Sequence, residues 1–160
     1  AVEMVAQAAE ARGLTSALIS VGGNLRAIGT KPDGSQWVGG VEDPWNASDV
    51  YTGSSSSVAA VKMSDLSLVT SGDYQRSYTV DGKAYHHIID PDTLMPGTYW
   101  RSVSILAGDS GVADALSTAL FLLPLERGQA LAKEFGAEVM WVDADMNITQ
   151  TDGFAKAIRK

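Results

Sequence analysis

The feature of the sequence that most constrains its fold is a change in hydrophobic periodicity near residue 107. Upstream, short apolar runs are separated by turn residues such as Asp81-Gly82, a strong hairpin signal. Downstream, residues 112–123 carry apolar side chains at helical spacing, and residues 125–135 resume the pattern beyond Pro124. Hairpin-linked strands followed by helices predict an α+β fold, with a mainly antiparallel sheet on which the helices pack.

Each strand is predicted from a short apolar run bounded by turn residues. Residues 25–30 and 36–41 are predicted to pair as a hairpin across the turn at residues 32–35. Residues 101–107 alternate polar and apolar side chains, which indicates a half-buried strand. The remaining predicted strands span residues 16–21, 58–63, 66–70, 74–80, 84–89, 138–142 and 148–151, and residues 42–53 are predicted to form a loop.

The start of the chain is predicted to be helical over residues 1–12, with Gly13 as the C-cap. No Ser, Thr, Asp or Asn precedes this helix as an N-cap. We therefore expect a fragment of a longer protein, the alternative being a natural N-terminus with a frayed first turn.

The residue composition of the chain limits the kinds of molecule that it is expected to bind. Hydrophobic residues make up 45% and charged residues 19% of the 160, as in ordinary globular domains. The formal net charge is −7 and no basic stripe is present, which argues against a nucleic-acid partner. The absence of cysteine excludes disulfides and thiolate nucleophiles. An anionic ligand such as a dinucleotide would need a cation or helix N-termini to offset the acidic surface.

Asp114 and Thr118 lie at positions i and i+4 of a predicted helix, so both side chains share one face. A carboxylate and a hydroxyl one turn apart form half of a site for a hard cation, whose other ligands are waters or phosphates. The alternative is an acidic residue in the first turn that stabilises the helix dipole, with Thr118 bonded to the carbonyl of Asp114. Spacing alone favours this alternative.

His86 and His87 are the only histidines and are adjacent on a predicted strand, so they point to opposite faces. This arrangement does not suit a shared metal. A neutral imidazole that faces a cleft is a natural general base near neutral pH. The alternative, which stays open, is that both histidines lie on an edge strand and have no function.

Two glycine-containing segments, residues 21–24 and 70–74, are predicted to be turns after strands. Glycine allows the backbone to approach a ligand closely, and successive amides can bind an anion. A plain hairpin or bulge is the commoner use of such segments. No Walker A motif and no Rossmann fingerprint is present.

Taken in order, these segments resemble the ApbE family, the FAD:protein FMN transferases. The resemblance runs from about residue 14 to residue 152. It rests on ALISVGGNLRAIG at 17–29, TSGDY at 70–74, HIIDP at 87–91 with Thr93 and Pro96, RSV at 101–103, and ADALSTALF at 113–121. It implies an ApbE-like, T-fold-like architecture, of which residues 1–160 are the C-terminal portion and the N-terminal half is absent.

The resemblance also implies the site. Mg²⁺ would hold the pyrophosphate of FAD, with Asp114 and Thr118 as metal ligands and Ser117 beside them. His87 would be the catalytic base for an acceptor threonine, and His86 its variable neighbour.

The flavin site implied by the resemblance is lined by Ser71, Asp73 and the main chain at Ile88. FMN would pass from FAD to a threonine of a respiratory or redox protein, and AMP would leave. The expected location is the periplasm or cell envelope, with membrane association only through an N-terminal anchor absent from this sequence.

The sequence departs from the family pattern in two ways. Leu94 stands where the loop Asp-Pro-x-Thr-Gly-x-Pro has glycine, which puts the geometry of this loop in question. The N-terminal half, which completes the metal site and the adenine pocket in the family, is missing, so this chain alone is expected to be inactive. Two alternative functions stay open: a FAD pyrophosphatase that yields FMN and AMP, and a FAD-binding module without catalysis.

Overall fold

The computed structural model describes residues 1–45 and 56–159, so most of the predicted loop over residues 42–53 lies outside the described residues. The described part has four helices and ten strands. In chain order these are α1 (Val2–Glu10), β1 (Ala17–Val21), β2 (Asn24–Ile28), β3 (Trp37–Glu42), β4 (Ser57–Met63), β5 (Ser67–Gly72), β6 (Ser77–Val80), β7 (Lys83–His86), β8 (Ser102–Ala107), α2 (Ser110–Phe121), α3 (Leu125–Glu134), β9 (Glu138–Val142), β10 (Ile148–Gln150) and α4 (Asp152–Ala157).

A six-stranded antiparallel sheet in the order β1-β2-β5-β8-β9-β10 forms the centre of the molecule. One face packs against α2 and α3 around a buried core that includes Ile105, Leu120 and Trp141. The other face packs against β3, β4 and α4 around Leu106 and Phe154. The predicted α+β class is therefore confirmed. Among the described residues, no helix has the length and apolar character needed to cross a membrane.

Strand β8 corrects the expectation of a half-buried strand. Every residue of β8 is buried, because helices cover one face of the sheet and the β3–β4 pair covers the other. Its polar residues lie inside as well, and the hydroxyl of Ser104 is 2.7 Å from that of Thr70 on β5. The alternating polar and apolar residues of β8 therefore point to two different buried layers, and neither face of the strand is exposed to solvent.

The predicted hairpin between residues 25–30 and 36–41 is wrong. Strand β2 is bonded to β1 on one edge and to β5 on the other, which leaves β3 no edge of β2 to join. Strand β3 pairs with β4 instead, as a separate two-stranded sheet. Gly39 allows this sheet to press on the core, since a Cβ there would lie 2.9 Å from Leu68.

The two tightest hairpins form as predicted. Gly22 and Gly23 join β1 to β2 with φ of 58° and 85°, and Asp81 and Gly82 join β6 to β7 with φ of 49° and 77°. Positive φ at both turn residues matches the right-handed twist of the strands. Residues 21–24 are therefore a plain hairpin turn.

Helix α1 joins the sheet through a buried arginine. Arg26 on β2 lies 3.4 Å from Glu3 and 3.7 Å from Glu10. Glu3 also accepts a hydrogen bond of 2.8 Å from the amide of Ser110, the first residue of α2. The helix predicted over residues 1–12 is confirmed, although its C-cap is Ala11 rather than Gly13.

Candidate cation site between β5 and α2

Hydroxyl groups from β5 and α2 meet where the helix crosses the strand. Ser71 Oγ lies 2.8 Å from Ser117 Oγ and 3.4 Å from Thr118 Oγ1. Ser117 is fully buried, while Thr118 and Asp114 are exposed. The structure thus brings four of the predicted site residues together at one junction.

The directions of these hydrogen bonds follow from donor counting. Ser117 Oγ donates its single proton to the carbonyl of Asp114 at 2.9 Å. Ser71 must therefore be the donor to Ser117, because a hydroxyl has one proton and two lone pairs. In the 3.4 Å contact Thr118 is then the donor, so Ser71 keeps one lone pair available, which suits a cation and not the oxygen of a phosphate.

The position of Asp114 corrects one interpretation of the sequence. Helix α2 begins at Ser110 and is capped by Asp109, which accepts from the amides of Gly111 and Val112 at 2.7 and 2.9 Å. Asp114 therefore lies beyond the first turn, where the helix dipole no longer stabilises its charge. It is Ser117, not Thr118, that bonds back to the Asp114 carbonyl.

The donor set fits a hard cation. The Asp114 carboxylate makes no hydrogen bond or ion pair within the described part of the chain. Carboxylate and hydroxyl oxygens are ligands that Mg²⁺ accepts, and this ion usually keeps water or phosphate in its other positions. Across residues 1–45 and 56–159, no cluster of three or more His, Cys, Asp or Glu is placed to hold a metal, so further ligands would come from elsewhere.

The end of β5 was expected to be a turn, but Ser71 and Gly72 are strand residues paired with β8. Gly72 is required for a different reason. A Cβ on it would lie 2.4 Å from the ring of Tyr74, which packs against the strand end. Burial, reinforced by nearby carboxylates, raises the pKa of Tyr74 and so keeps this phenol neutral.

Asp73 lies just past the strand end and pairs with Arg101. The Nε atom of Arg101 is 2.7 Å from Asp73 Oδ2, and the Asp73 amide donates to the Arg101 carbonyl at 3.0 Å. The pair orients the carboxylate toward a cleft described below. Arg101 belongs to the segment RSV at residues 101–103, and the sequence alone did not assign a role to this arginine.

The two histidines face different surroundings, as predicted. His86 is half-buried: its Nε2 lies 2.9 Å from the Gly97 carbonyl, and its ring meets Phe121 edge-on at 5.5 Å. The amide of Ile88 donates to His86 Nδ1 at 3.3 Å, so the proton of the neutral ring sits on Nε2. His87 is exposed and open to solvent.

Ile88 is 4% exposed, and its main chain is largely engaged within the protein. Its carbonyl accepts from the Gly97 amide at 3.0 Å and retains one lone pair for a ligand. Within the described residues, no hydrogen bond or ring contact joins Ile88 or His87 to the group formed by Ser71 and Thr118. The candidate base and the candidate metal ligands are thus separate groups.

In the loop after Ile88, Leu94 adopts a backbone conformation that is typical of glycine. Leu94 has φ of 57° and its side chain is 76% exposed. Asp90 organises this loop: its carbonyl accepts from the Leu94 amide at 2.8 Å, and its carboxylate accepts from the Asp92 amide at 2.8 Å. The questioned geometry is therefore a left-handed residue held by the hydrogen bonds of Asp90.

A cleft of about 400 Å³ opens beside the histidines. Its wall combines apolar groups with two cations, Lys83 and Arg101, and sequence reasoning missed it because its residues come from four separate segments. It is lined by Asp73, Lys83, Ala84, His86, Met95, Pro96, Gly97, Thr98, Trp100, Arg101 and Ala144.

The six-stranded antiparallel sheet with helices packed on it makes this an α+β protein. The sequence profile of the ApbE family matches residues 1–141, and the chain belongs to the ApbE family.

Relatives and solved structures agree with this membership. The chain is 37% identical over 161 residues to a protein of Treponema pallidum (strain Nichols) named FAD:protein FMN transferase, covering 98% of this chain and 44% of the relative. It resembles the crystal structure of the ApbE protein of Thermotoga maritima with a TM-score of 0.86 and 32% identity, over 99% of this chain and 50% of that one. It resembles the structure of the flavin transferase ApbE from Vibrio cholerae with a TM-score of 0.77 and 27% identity, over 98% of this chain and 48% of that one. The chain therefore spans about half the length of these proteins.

Proposed function

We propose that this chain carries the metal-binding and base residues of an enzyme that moves FMN from FAD to a threonine hydroxyl of an acceptor protein and releases AMP. The observation that carries the proposal is an Asp114 carboxylate with no partner among the described residues, one helical turn from Thr118, whose hydroxyl lies 3.4 Å from that of Ser71. Relatives from Treponema pallidum and Vibrio cholerae carry the name FAD:protein FMN transferase, which supports the proposal. Because the chain spans less than half of these relatives, we propose that it acts as the C-terminal portion of a longer transferase.

The proposed metal ligands are Asp114 and Thr118. Ser117 holds the helix at this point through the Asp114 carbonyl, and Ser71 offers one lone pair from the neighbouring strand. When bound, Mg²⁺ would neutralise negative charge on the phosphate oxygens of FAD. Asp114 is well suited to bind it, because no cation within the described residues already occupies its carboxylate.

His87 is proposed to accept the proton of the acceptor threonine. The threonine oxygen then forms a bond to the FMN-side phosphorus, the bond from that phosphorus to the bridging oxygen breaks, and AMP leaves with that oxygen. A positioned base contributes roughly 10²–10⁴-fold to such a step. The exposure of His87 supports this role, since a macromolecular acceptor needs an accessible base. Ser71, Asp73 and the Ile88 carbonyl are proposed to orient the flavin.

The proposal is tested by following covalent flavin fluorescence after mixing the protein, as the cell makes it, with FAD, Mg²⁺ and extract of the host's own proteins. Asp114→Asn should abolish labelling, whereas Glu126→Gln, an exposed carboxylate in the first turn of α3, should not. His87→Gly should lose labelling and regain part of it with added imidazole. Mass spectrometry of the labelled band then identifies the modified threonine.

Other outcomes would redirect the assignment. Release of free FMN and AMP without covalent flavin indicates the pyrophosphatase reaction, and FAD binding without turnover indicates a binding module. We further propose a respiratory or redox acceptor in the periplasm or cell envelope, supported by the family resemblance. Labelled bands confined to the cytoplasmic fraction of lysed cells would contradict that location.

A further inference from the structure

Among the described residues, strand β7 pairs with β6 alone, and no other strand covers its second edge. The His87 amide donates to the Arg76 carbonyl at 3.2 Å, which marks these two residues as a hydrogen-bonded pair of the hairpin. Because such pairs alternate with non-bonded pairs, the peptide groups of Ala84 and His86 point away from β6. Within the described residues, no backbone hydrogen bond from outside the hairpin reaches either of them.

Two residues beyond His86, the chain already bonds to a later segment. The Ile88 carbonyl accepts from the Gly97 amide at 3.0 Å, and Ile89 forms an antiparallel bridge with Pro96. Next to this contact, Ala84 and His86 of β7 line the cleft together with Thr98, Trp100 and Arg101 of the segment that follows Gly97.

The chemistry of the cleft suits an extended polypeptide. A bound strand needs free backbone donors and acceptors on one side and apolar contacts for alternate side chains on the other. Ala84 and His86 supply the first, and Met95, Pro96 and Trp100 supply the second. The charge of Arg101 is already offset by Asp73, which leaves Lys83 as the cation of the lining that has no carboxylate partner among the described residues.

We propose that this cleft binds the threonine-bearing segment of the acceptor protein as an extended strand added to the outer edge of β7. The inference rests on the proposed function and specifies how its protein partner is recognised. A segment opposite Lys83–His86 would span roughly 13 Å. The segment would end beside His86, the residue before His87. This position would bring a hydroxyl on the segment toward His87, the proposed base. His86 closes the end of the cleft by holding Gly97 through its Nε2 proton.

The test removes one outward-facing amide from each edge of the same hairpin. Ala84→Pro deletes the N–H that faces the cleft, and Thr79→Pro deletes the N–H of its cross-strand partner, which faces the opposite edge. Proline imposes the same backbone restriction at both positions. The substrate is a synthetic peptide centred on the threonine mapped in the transfer assay. Ala84→Pro should raise the KM for this peptide about tenfold or more, with kcat and the Kd for FAD little changed, and Thr79→Pro should match the parent.

A second measurement does not depend on a variant. Hydrogen exchange of the unaltered protein should show that the peptide protects the amides of Ala84 and His86 and leaves that of Thr79 unchanged. Equal KM values for the two proline variants, or unprotected Ala84 and His86 amides at saturating peptide, would overturn the inference while the transferase assignment stands. If the unaltered protein attaches no flavin to any protein, the proposed function and the inference fall together.

Discussion

The Ser71 hydroxyl donates to the Ser117 hydroxyl across 2.8 Å, joining the end of β5 to the middle of α2. Ser117 in turn donates a hydrogen bond to the Asp114 carbonyl. One short chain of hydrogen bonds therefore runs from the strand into the helical turn that carries the candidate metal ligands. A buried serine, rather than the exposed threonine beside it, therefore fixes the geometry of the site.

Ser117→Ala is expected to lower the free energy of unfolding by about 1 kcal/mol, because it removes a buried hydrogen-bonding partner of Ser71 and of the Asp114 carbonyl. Thr118→Ala, at the exposed neighbour, should cost less than about 0.5 kcal/mol. Urea unfolding followed by circular dichroism measures both. Equal losses for the two variants would show that the buried hydroxyl does not hold the junction.

Gly72→Ala is expected to destabilise the protein by roughly 1–3 kcal/mol, since the new Cβ would collide with the Tyr74 ring. Gly40→Ala is the matched control: it also lies in a strand, and among the described residues its Cβ would come within 4 Å of Ser57 alone, at 3.9 Å. Thermal unfolding compares the two variants. A similar melting temperature for both would mean that the Tyr74 ring moves aside freely.

Leu94→Gly is expected to stabilise the protein. A left-handed conformation costs a leucine roughly 1–2 kcal/mol, and glycine adds about 0.5–1 kcal/mol of unfolded-state entropy, so the net gain is roughly 0–1.5 kcal/mol. The exposed Leu94 side chain loses little packing. Leu94→Ala retains the strain and should give no gain. The midpoint of urea unfolding is the measurement, and a lower midpoint for Leu94→Gly than for Leu94→Ala would contradict the prediction.

Asp109→Ala is expected to cost about 1 kcal/mol, because two amides at the start of α2 lose their acceptor. Asp109→Ser keeps a capping oxygen and should recover most of the loss. Since α2 carries Asp114 and Thr118, Asp109→Ala should also weaken Mg²⁺-dependent FAD binding, measured by titration calorimetry. Undiminished unfolding free energy in Asp109→Ala would show that the cap is dispensable.

Asp143 predicts a pH dependence in the β9–β10 turn. The side-chain amide of Asn147, followed by backbone amides, lowers the pKa of Asp143 below its usual 3.8. The resulting stability is fully present above the usual pKa and is lost as pH falls through the lower folded value. The difference in melting temperature between the parent and Asn147→Ala should therefore shrink from about pH 6 to about pH 2.5. In an Asp143→Asn background that difference should not depend on pH.

Much of the fold was predictable because its signals are local. Asp81-Gly82 marks a hairpin, Pro124 separates two helices, and each was confirmed within a few residues. The partner of β3 was not predictable, because strand order depends on which edges of β2 remain free after long-range pairing. A local pattern contains no information about that competition.

The site divides in the same way. Spacing placed Asp114 and Thr118 on one face, whereas the role of Ser117 depends on burial against β5, which lies 46 residues earlier. The part played by His86 depends on Gly97, a loop residue with no helical or strand pattern to connect the two. Contacts between segments decide these roles, and single-sequence periodicity does not report such contacts.

The junction of Glu3, Arg26 and the Ser110 amide has an evolutionary consequence. Glu3 pairs with a buried guanidinium on β2 and accepts from the first amide of α2. Losing its carboxylate would leave that amide without this acceptor and would leave Arg26 with Glu10 as its carboxylate partner among the described residues. Substitution at position 3 would thus weaken the reason for keeping arginine at position 26, and we expect these two positions to covary among relatives.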